Sequence, residues 1–322
     1  MIRIAGLGVS GAYLYRRLSN AGFKVTAFDP KREGFYLPCG YALNENVART
    51  YLKLINLEVE DYVESRAHNI IFQSGNREIE FKSLGLCTVD KNRLLSDLLG
   101  NLPFERRKAP AERDVVTVDA TGISRSILGP IGNDFTMHTK EYLTSTASHH
   151  EFYFRYFSKG HGYYWEFPLG DHFHVGAGSD VLQLINSSLN VKGSLKVASR
   201  NIRLKPALQD IFRENVVGVG ESIGTVSPIT GEGIMPAMES AELLFQNLTK
   251  YENFSELSSN YSTDIIKTFR RYEVLYSLLE NARKGKILKL SNLIRYPAVR
   301  EDFRHFGINL TLYSVAKTLI GK

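Results

Sequence analysis

Three glycines near the start of the chain have the spacing that a backbone needs to hold a pyrophosphate. Gly6, Gly8 and Gly11 fit the pattern G-x-G-x-x-G. The first glycine permits a tight turn, the second lets the backbone approach the phosphates, and the third lets a helix pack closely on a strand. The N–H groups at the helix N-terminus then favour the phosphate charge. Asp29, at the end of the next strand, suits ribose hydroxyls and disfavours a 2′-phosphate.

A second segment with nucleotide-binding character lies far along the chain, between Val216 and Leu244. Its strand ends at Gly220-Glu221, and a loop through Pro228 leads to Gly231-Glu232-Gly233-Ile234, which opens a helix. Glu221 can accept hydrogen bonds from a ribityl hydroxyl. The amides at the helix start can stabilise negative charge on a reduced flavin ring. Together with the glycine turn, this segment predicts that both close over one flavin nucleotide.

Alternating strands and helices are predicted to position the glycine turn. They are a strand from Ile2 to Ile4, a helix from Ala12 to Asn20 that Gly22 ends, a strand from Lys24 to Phe28, a helix from Leu43 to Ile55, strands over 69–74 and 77–82 joined by a turn at Gly75-Asn76, a strand from Leu84 to Val89, a helix from Lys91 to Leu99, and a strand from Asp114 to Val118 that ends in Asp119-Ala120-Thr121-Gly122.

The middle of the chain changes character. Residues 150–157, 163–167 and 172–177 are rich in aromatic residues that alternate with polar ones, which predicts an antiparallel sheet. A buried strand returns at Val216–Val219, a helix is predicted from Glu232 to Lys250, and everything after Phe254 is expected to be helical.

These elements predict an α/β fold. A Rossmann-type dinucleotide-binding domain is assembled from the discontinuous segments 1–135 and 206–254. An antiparallel β-sheet substrate domain, 136–205, is inserted between them, and a helical region, 255–322, follows.

Length and composition limit the classes of protein that the chain can belong to. Its 322 residues, 43% of them hydrophobic, suffice for two domains or for one large domain with an insertion. We see no apolar stretch long enough to span a bilayer and no signal peptide, so we expect the cytoplasm.

The chain carries a net charge of +6 and a pI of about 9.1. A solvated helical face and peripheral contact with anionic lipid both fit the excess of basic residues near the C-terminus. Nucleic acid ranks last, because no motif for it is present. The basic residues are Arg283, Lys284, Lys286, Lys289, Arg295, Arg300 and Arg304.

The cysteines and histidines predict neither a disulfide framework nor a metal site. Cys39 and Cys87 form no C-x-x-C pair and are interpreted as thiols. His172 and His174 would share one face of a strand, but a metal needs a third ligand, and none is evident.

At five places the sequence resembles the geranylgeranyl reductase family, FAD-dependent oxidoreductases with a fold of the para-hydroxybenzoate hydroxylase type. Two of these places are specific to the family, and the rest mark the wider flavoprotein superfamily. The five are the glycine turn, Pro38-Cys39-Gly40, Asp119 to Gly122 with Ser124-Arg125, Gly162-Tyr163-Tyr164-Trp165-Glu166-Phe167-Pro168, and Gly220 to Glu239.

The resemblance implies an extended FAD and reduction of carbon–carbon double bonds in an isoprenoid chain. It places Cys39 beside the flavin in the substrate cavity, with Tyr163 and Trp165 lining that cavity on the sheet above the ring. The residues expected to bind the cofactor are Gly6, Gly8, Val9, Ser10, Gly11, Asp29, Pro30, Lys31, Gly40, Lys91, Ala120, Thr121, Gly122, Gly220, Glu221, Pro228, Gly231, Glu232, Gly233 and Ile234.

The chain departs from the family pattern in two residues and in length. Glu221 stands where the family usually has aspartate, which keeps the charge on a longer arm. Lys91 stands where an arginine is usual, and lysine lacks the planar fork of that side chain. The chain is also shorter than most members, chiefly in the C-terminal region that helps to shape the substrate cavity.

The expected chemistry is hydride transfer from flavin N5 to one alkene carbon and protonation of the other. Cys39 is the first candidate for proton donor or relay and Tyr163 the second, although simple packing also explains both residues. Alternation along the strand predicts that Tyr163, Trp165 and Phe167 face the cavity together.

Other functions fit the same motifs. A flavin-dependent monooxygenase or halogenase would use the same scaffold, and an FAD-binding electron-transfer or membrane-docked partner would not turn over at all. No second G-x-G-x-x-G is present, so the electron donor is expected to be transiently bound NAD(P)H or a protein such as ferredoxin.

Overall fold

The computed structural model describes residues 1–32, 39–75, 77–110, 115–286 and 296–310. The strands, in chain order, are β1 (Ile2–Ala5), β2 (Val25–Phe28), β3 (Ala42–Asn44), β4 (Val63–Arg66), β5 (Asn69–Ser74), β6 (Arg77–Ser83), β7 (Leu86–Val89), β8 (Val116–Asp119), β9 (Thr136–Thr144), β10 (Phe152–Tyr156), β11 (Tyr163–Leu169), β12 (His172–Ser179), β13 (Ser194–Arg203), β14 (Phe212–Arg213), β15 (Val216–Gly218) and β16 (Ile308–Asn309). The helices are α1 (Val9–Asn20), α2 (Glu45–Leu52), α3 (Lys91–Leu99), α4 (Leu182–Ser188), α5 (Ile234–Lys250), α6 (Phe254–Arg283) and α7 (Pro297–His305).

The first sheet carries the predicted nucleotide-binding elements. Its order is β14-β15-β8-β1-β2, with β15, β8, β1 and β2 parallel. Helix α1 packs over it and buries Tyr13, Leu14 and Leu18 completely. Because β15 lies beside β8 and β8 beside β1, the second predicted segment comes next to the glycine turn. The predicted α/β class with a discontinuous Rossmann-type sheet is confirmed.

The second sheet is mainly antiparallel, in the order β13-β9-β12-β11-β10-β5-β6-β16. Strands β5 and β6 belong to it, so the sheet extends beyond the range 136–205 predicted for it. Strand β5 joins by parallel pairing, with Phe72 opposite Phe154, and the centroids of these two rings lie 4.9 Å apart. Because the contacts between β5 and β10 join residues far apart in sequence, no local pattern predicts that β5 belongs to this sheet.

The C-terminal part of the chain is not helical throughout, contrary to the prediction. After α7 the chain forms β16, where Ile308 pairs with Ser83 of β6 and is completely buried. A strand of two residues is too short to leave a periodic pattern. Asn76, Pro38, Lys289 and Arg295, which the sequence singled out, lie outside the described residues.

A small third sheet, β3-β7-β4, shifts two predicted boundaries. The predicted helix 43–55 begins only at Glu45, because Asn44 ends a strand and its side chain caps α2 by accepting from the Asn46 N–H at 3.0 Å. The predicted strand 84–89 begins only at Leu86, after Gly85 at a φ of +104°. Within the described ranges, every helix is too short or too polar to cross a membrane.

Candidate functional site

A cavity of about 1730 Å³ is lined by segments that follow strands of the first sheet and by residues of the second sheet. Pockets for a single small molecule usually measure about 300–1,000 Å³. This cavity therefore has room for a dinucleotide and for a second molecule beside it.

The glycine turn borders the cavity, and its three glycines have different surroundings. Gly6 adopts a φ of +91°, and a Cβ atom there would lie 2.5 Å from the Ala120 carbonyl oxygen. Gly11 packs directly against the Gly6 carbonyl. Gly8 instead faces open space, with no atom within 4 Å of where its Cβ would be, and lines the cavity. Only Gly8 is thus open to a ligand, while the other two hold the turn in place.

Asp29 anchors the turn to the end of β2. Its Oδ2 accepts from the Leu7 N–H at 2.7 Å, and its Oδ1 accepts from the Lys31 N–H at 2.8 Å. Asp29 and Lys31 line the cavity. Pro30 is exposed and lies outside that lining, so the structure does not bring this predicted residue to the site.

The two predicted nucleotide-binding segments are in direct contact. Gly220 has a φ of +65°, and a Cβ atom there would lie 2.6 Å from Ser10 Oγ and 3.0 Å from Ser10 Cβ. The Gly220 N–H donates to Ser240 Oγ of α5 at 2.9 Å. Ser222 Oγ donates to the Asp119 carbonyl at 2.7 Å, which ties the segment to the end of β8. Only glycine allows the second segment to approach α1 this closely.

Glu221 lines the cavity with partners that the sequence did not reveal. Its carboxylate forms an ion pair with Arg200 of β13 and accepts from the Arg203 N–H at 2.9 Å. Arg203 in turn holds Asp134, with Nη2 2.9 Å from Oδ2. A ribityl hydroxyl would therefore share this carboxylate with Arg200, which itself lines the cavity.

The loop before α5 meets the aromatic sheet. The Gly231 N–H donates to the Ser227 carbonyl at 3.0 Å, which folds the loop so that Gly231 has a φ of +70°. A Cβ atom on Gly231 would lie 2.9 Å from the Tyr163 hydroxyl, and that hydroxyl donates to the Thr230 carbonyl. Burial raises the pKa of Tyr163 well above its ordinary value, so the phenol keeps its proton.

Strand β11 presents an aromatic wall to the cavity. Tyr163, Trp165 and Phe167 all line it, as the alternation predicted. The Tyr163–Trp165 ring centroids lie 5.6 Å apart, and those of Trp165 and Phe167 lie 6.3 Å apart. Gly40 and Gly176 leave room for these rings, because a Cβ on either would overlap Phe167 or Trp165.

Cys39 lies in the cavity lining and is held through its backbone. Its N–H donates to Glu141 Oε1 at 3.2 Å, and its carbonyl contacts His174 Nδ1 at 2.9 Å. His174 and Glu141 are both buried, and His174 Nδ1 lies 2.8 Å from Glu141 Oε1. Sequence reasoning missed this pair, because the pairing of β9 with β12 brings the two residues together. No group of three potential metal-binding side chains occurs among the described residues.

The structure brings most of the predicted cofactor residues to the cavity. Lys91, at the start of α3, lies with its Nζ 4.8 Å from the Tyr41 ring centroid. Thr121 Oγ1 donates to Asp119 Oδ1 at 2.6 Å, which fixes the turn after β8. Gly6, Gly11 and Gly220 lie behind the lining. The predicted residues that line the cavity are Gly8, Val9, Ser10, Asp29, Lys31, Gly40, Lys91, Ala120, Thr121, Gly122, Glu221, Pro228, Gly231, Glu232, Gly233 and Ile234.

The chain has relatives of low identity. No family model matches it. An uncharacterized protein of Methanocaldococcus jannaschii is 22% identical over 98% of this chain and 99% of its own length. A digeranylgeranylglycerophospholipid reductase of Methanococcus vannielii is 30% identical over 143 residues, which are 39% of this chain and 36% of that protein.

Solved structures share the fold over nearly the whole chain. A geranylgeranyl bacteriochlorophyll reductase-like protein of Thermoplasma acidophilum superposes with a TM-score of 0.75 at 14% identity, over 95% of this chain and 98% of that one. PqsL, a probable FAD-dependent monooxygenase of Pseudomonas aeruginosa, gives 0.69 at 16% identity, over 88% and 97%. A flavin-dependent halogenase of Xanthomonas campestris gives 0.68 at 14% identity, over 94% and 83%.

The chain therefore has the fold of the flavin-dependent oxidoreductases. The resemblance to geranylgeranyl reductases that the sequence predicted is confirmed by one structural neighbour and one relative.

From the close contact between Gly220 and Ser10 we predict that a side chain at position 220 destabilises the fold. G220A should lower the free energy of unfolding by about 1–2 kcal/mol through its positive φ and by about 1–3 kcal/mol more through overpacking against Ser10. G22A is the matched control, because Gly22 has a φ of +80° but no atom within 4 Å of its Cβ position. Urea unfolding measures both variants, and equal losses would contradict a close contact at Gly220.

Proposed function

We propose that this protein is an FAD-dependent oxidoreductase that reduces carbon–carbon double bonds of an isoprenoid chain on a lipid or quinone. The observation that carries the proposal is one large cavity among the described residues. The glycine turn, the start of α5 and an aromatic wall all line it.

The residues present fit an extended FAD. Gly8 gives open space at the N-terminus of α1, where N–H groups and the helix dipole attract a pyrophosphate. Asp29 would accept from ribose hydroxyls. Glu221 would take part of the ribityl chain, and the amides of residues 231–234 would face the flavin ring. Thr121 and Gly122 complete the border between these two ends.

When bound, the flavin supplies a hydride from its N5 atom. The residues of the chain position the alkene, exclude water and hold a proton. Trp165 and Phe167 form the flat apolar surface on which a prenyl unit would lie. The Tyr163 phenol is protonated and donates a hydrogen bond to the Thr230 carbonyl oxygen. Cys39, held by Glu141 and His174, is the first candidate to protonate the second carbon, and Tyr163 is the second candidate.

The apolar lining supports an isoprenoid substrate. Burial of a long hydrocarbon chain away from water is favourable by about 0.8 kcal/mol for each CH₂ group. Besides those of β11, the cavity is lined by apolar side chains from β13, from the loop before α5, from α6, and from α7 and the residue that follows it. Those side chains are Ile202, Val226, Leu278, Val299, Phe303 and Phe306.

The electron donor and any membrane contact belong to the same proposal. NAD(P)H or a ferredoxin-like protein would reduce the flavin. Lys284 and Lys286 are exposed and could face anionic lipid. Arg283, by contrast, pairs with Asp180 at 2.5 Å and lies over the Phe135 ring, so it serves the fold. We propose a protein of the cell interior that touches the membrane only peripherally.

A monooxygenase or halogenase is the second candidate, because PqsL and a halogenase share this fold. The two functions differ in what the reduced flavin does. A reductase hydrogenates its substrate without oxygen, whereas a monooxygenase or halogenase requires oxygen to form its product.

The reductase activity is tested with anaerobic protein that has been reduced by dithionite and mixed with prenylated lipids and quinones. We expect mass spectrometry to find two added hydrogens for each reduced double bond. No hydrogenated product across both substrate classes would contradict the proposal. An oxygenated product that forms only in air would favour the second candidate.

Cofactor binding at the glycine turn is tested with G8V. Because Gly8 faces open space, valine should cost stability only through its poorer N-cap, about 1 kcal/mol or less. Its side chain would occupy the phosphate position, so FAD affinity should fall at least about tenfold, or about 1.4 kcal/mol. G132V is the control, since Gly132 is equally open but lies away from the cavity. Unchanged FAD affinity in G8V would place the phosphates elsewhere.

A further inference from the structure

A cluster of buried ionisable groups lies behind the loop that opens α5, and no role described so far uses it. Asp302 of α7 is 1% exposed, and its Oδ2 accepts from Ser227 Oγ at 2.6 Å. His305, one turn further along α7, has its Nδ1 3.2 Å from Glu232 Oε2 and its Nε2 3.6 Å from Glu239 Oε2. The contacts of α7 thus hold both ends of the loop from Ser227 to Glu232.

The charges of this cluster do not balance when all of its members are ionised. Three carboxyl groups, on Glu232, Glu239 and Asp302, face two basic groups, on Arg271 and His305. Several polar atoms of these groups and of the adjoining Tyr272 are buried without a hydrogen-bond partner in the described part of the chain. These atoms are Asp302 Oδ1, Glu232 Oε1, Glu239 Oε2, Arg271 Nε and Nη2, and Tyr272 Oη.

The cluster reaches the cavity through Glu232. This residue lines the cavity two positions before Ile234, where the N-terminus of α5 begins. Tyr163 and Tyr156 also line the cavity. Burial raises the pKa of both phenols, and the nearby charge of Asp302 adds to both shifts. Negative charge that develops at the start of α5 would therefore favour protonation of the buried carboxyl groups.

We propose that Asp302, Glu232 and His305 form a proton-uptake site that takes one proton from solvent when negative charge appears beside the N-terminus of α5. The inference rests on the proposed flavin function. An external donor supplies two electrons to the bound cofactor, and the cluster gains one O–H or N–H bond. No other bond forms or breaks there.

The electrostatics of Asp302 agree with this geometry. Burial, followed by the nearby Glu232 charge, raises the pKa of Asp302 to about 7, while Ser227, Arg271 and His305 act to lower it. The carboxyl group thus changes protonation near neutral pH. The titratable and charged groups that face it or adjoin it are Tyr156 on β10, Tyr163 on β11, Glu232 and Glu239 around α5, Arg271 and Tyr272 on α6, and Glu301 and His305 on α7.

The test is a potentiometric titration of the FAD-loaded protein over a range of pH. We expect the plot of midpoint potential against pH to change slope near pH 7 in the wild type and to lose that change in D302N. E273Q is the control, because Glu273 is an exposed acid on α6, and it should keep the wild-type plot. A change of slope near pH 7 that persists in D302N would overturn the inference and leave the proposed function standing.

Two further measurements keep the inference testable. The positive charge of His305 lowers the pKa of Asp302, so H305Q should raise that pKa and move the change of slope to higher pH. A change of slope at the wild-type pH in H305Q would contradict the inference. In the apoprotein, a carboxyl pKa raised on folding gives stability that is present at low pH and lost as pH rises through about 7. D302N should lack that loss. A wild type that folds but holds no FAD would defeat the proposed function itself.

Discussion

The close approach of Gly220 to Ser10 is the constraint on which the site depends. It brings the second predicted nucleotide-binding segment against the N-terminus of α1, so that the glycine turn and the start of α5 border one cavity. Backbone hydrogen bonds reinforce it, because the Val219 N–H donates to the Asp119 carbonyl and the Ala120 N–H donates to the Ala5 carbonyl. Through this contact the glycine turn and the loop before α5, which lie far apart in sequence, both border the cavity.

Sequence reasoning succeeded where a local pattern dictates a local geometry. The spacing of Gly6, Gly8 and Gly11 determined the turn, and the alternation through Tyr163, Trp165 and Phe167 determined which side chains face the cavity. Both patterns work because a strand alternates its faces and because only glycine fits a close backbone contact. The bounds of α3 were predicted to the residue, since Asp90 caps the helix with its side chain.

Sequence reasoning failed where a contact joins distant residues. Glu141 and His174 meet only because β9 pairs with β12, and Asp302 meets Ser227 only because α7 packs behind the loop. The residues next to Glu141 and Asp302 in the sequence do not indicate that these carboxyl groups are buried. Pro30 was also predicted to bind the cofactor, yet it is exposed and lies outside the cavity lining. The same long-range pairing drew β5 and β6 into the antiparallel sheet.

The central claim is that two distant stretches of backbone enclose one flavin nucleotide beside the aromatic wall. Trp165 is the single tryptophan of the chain and lines that cavity, so its fluorescence reports on the site alone. The most direct measurement is a titration of the folded apoprotein with FAD, followed through this fluorescence. The account predicts quenching that saturates at about one FAD per chain. Fluorescence that stays unchanged while circular dichroism shows a folded protein would contradict it.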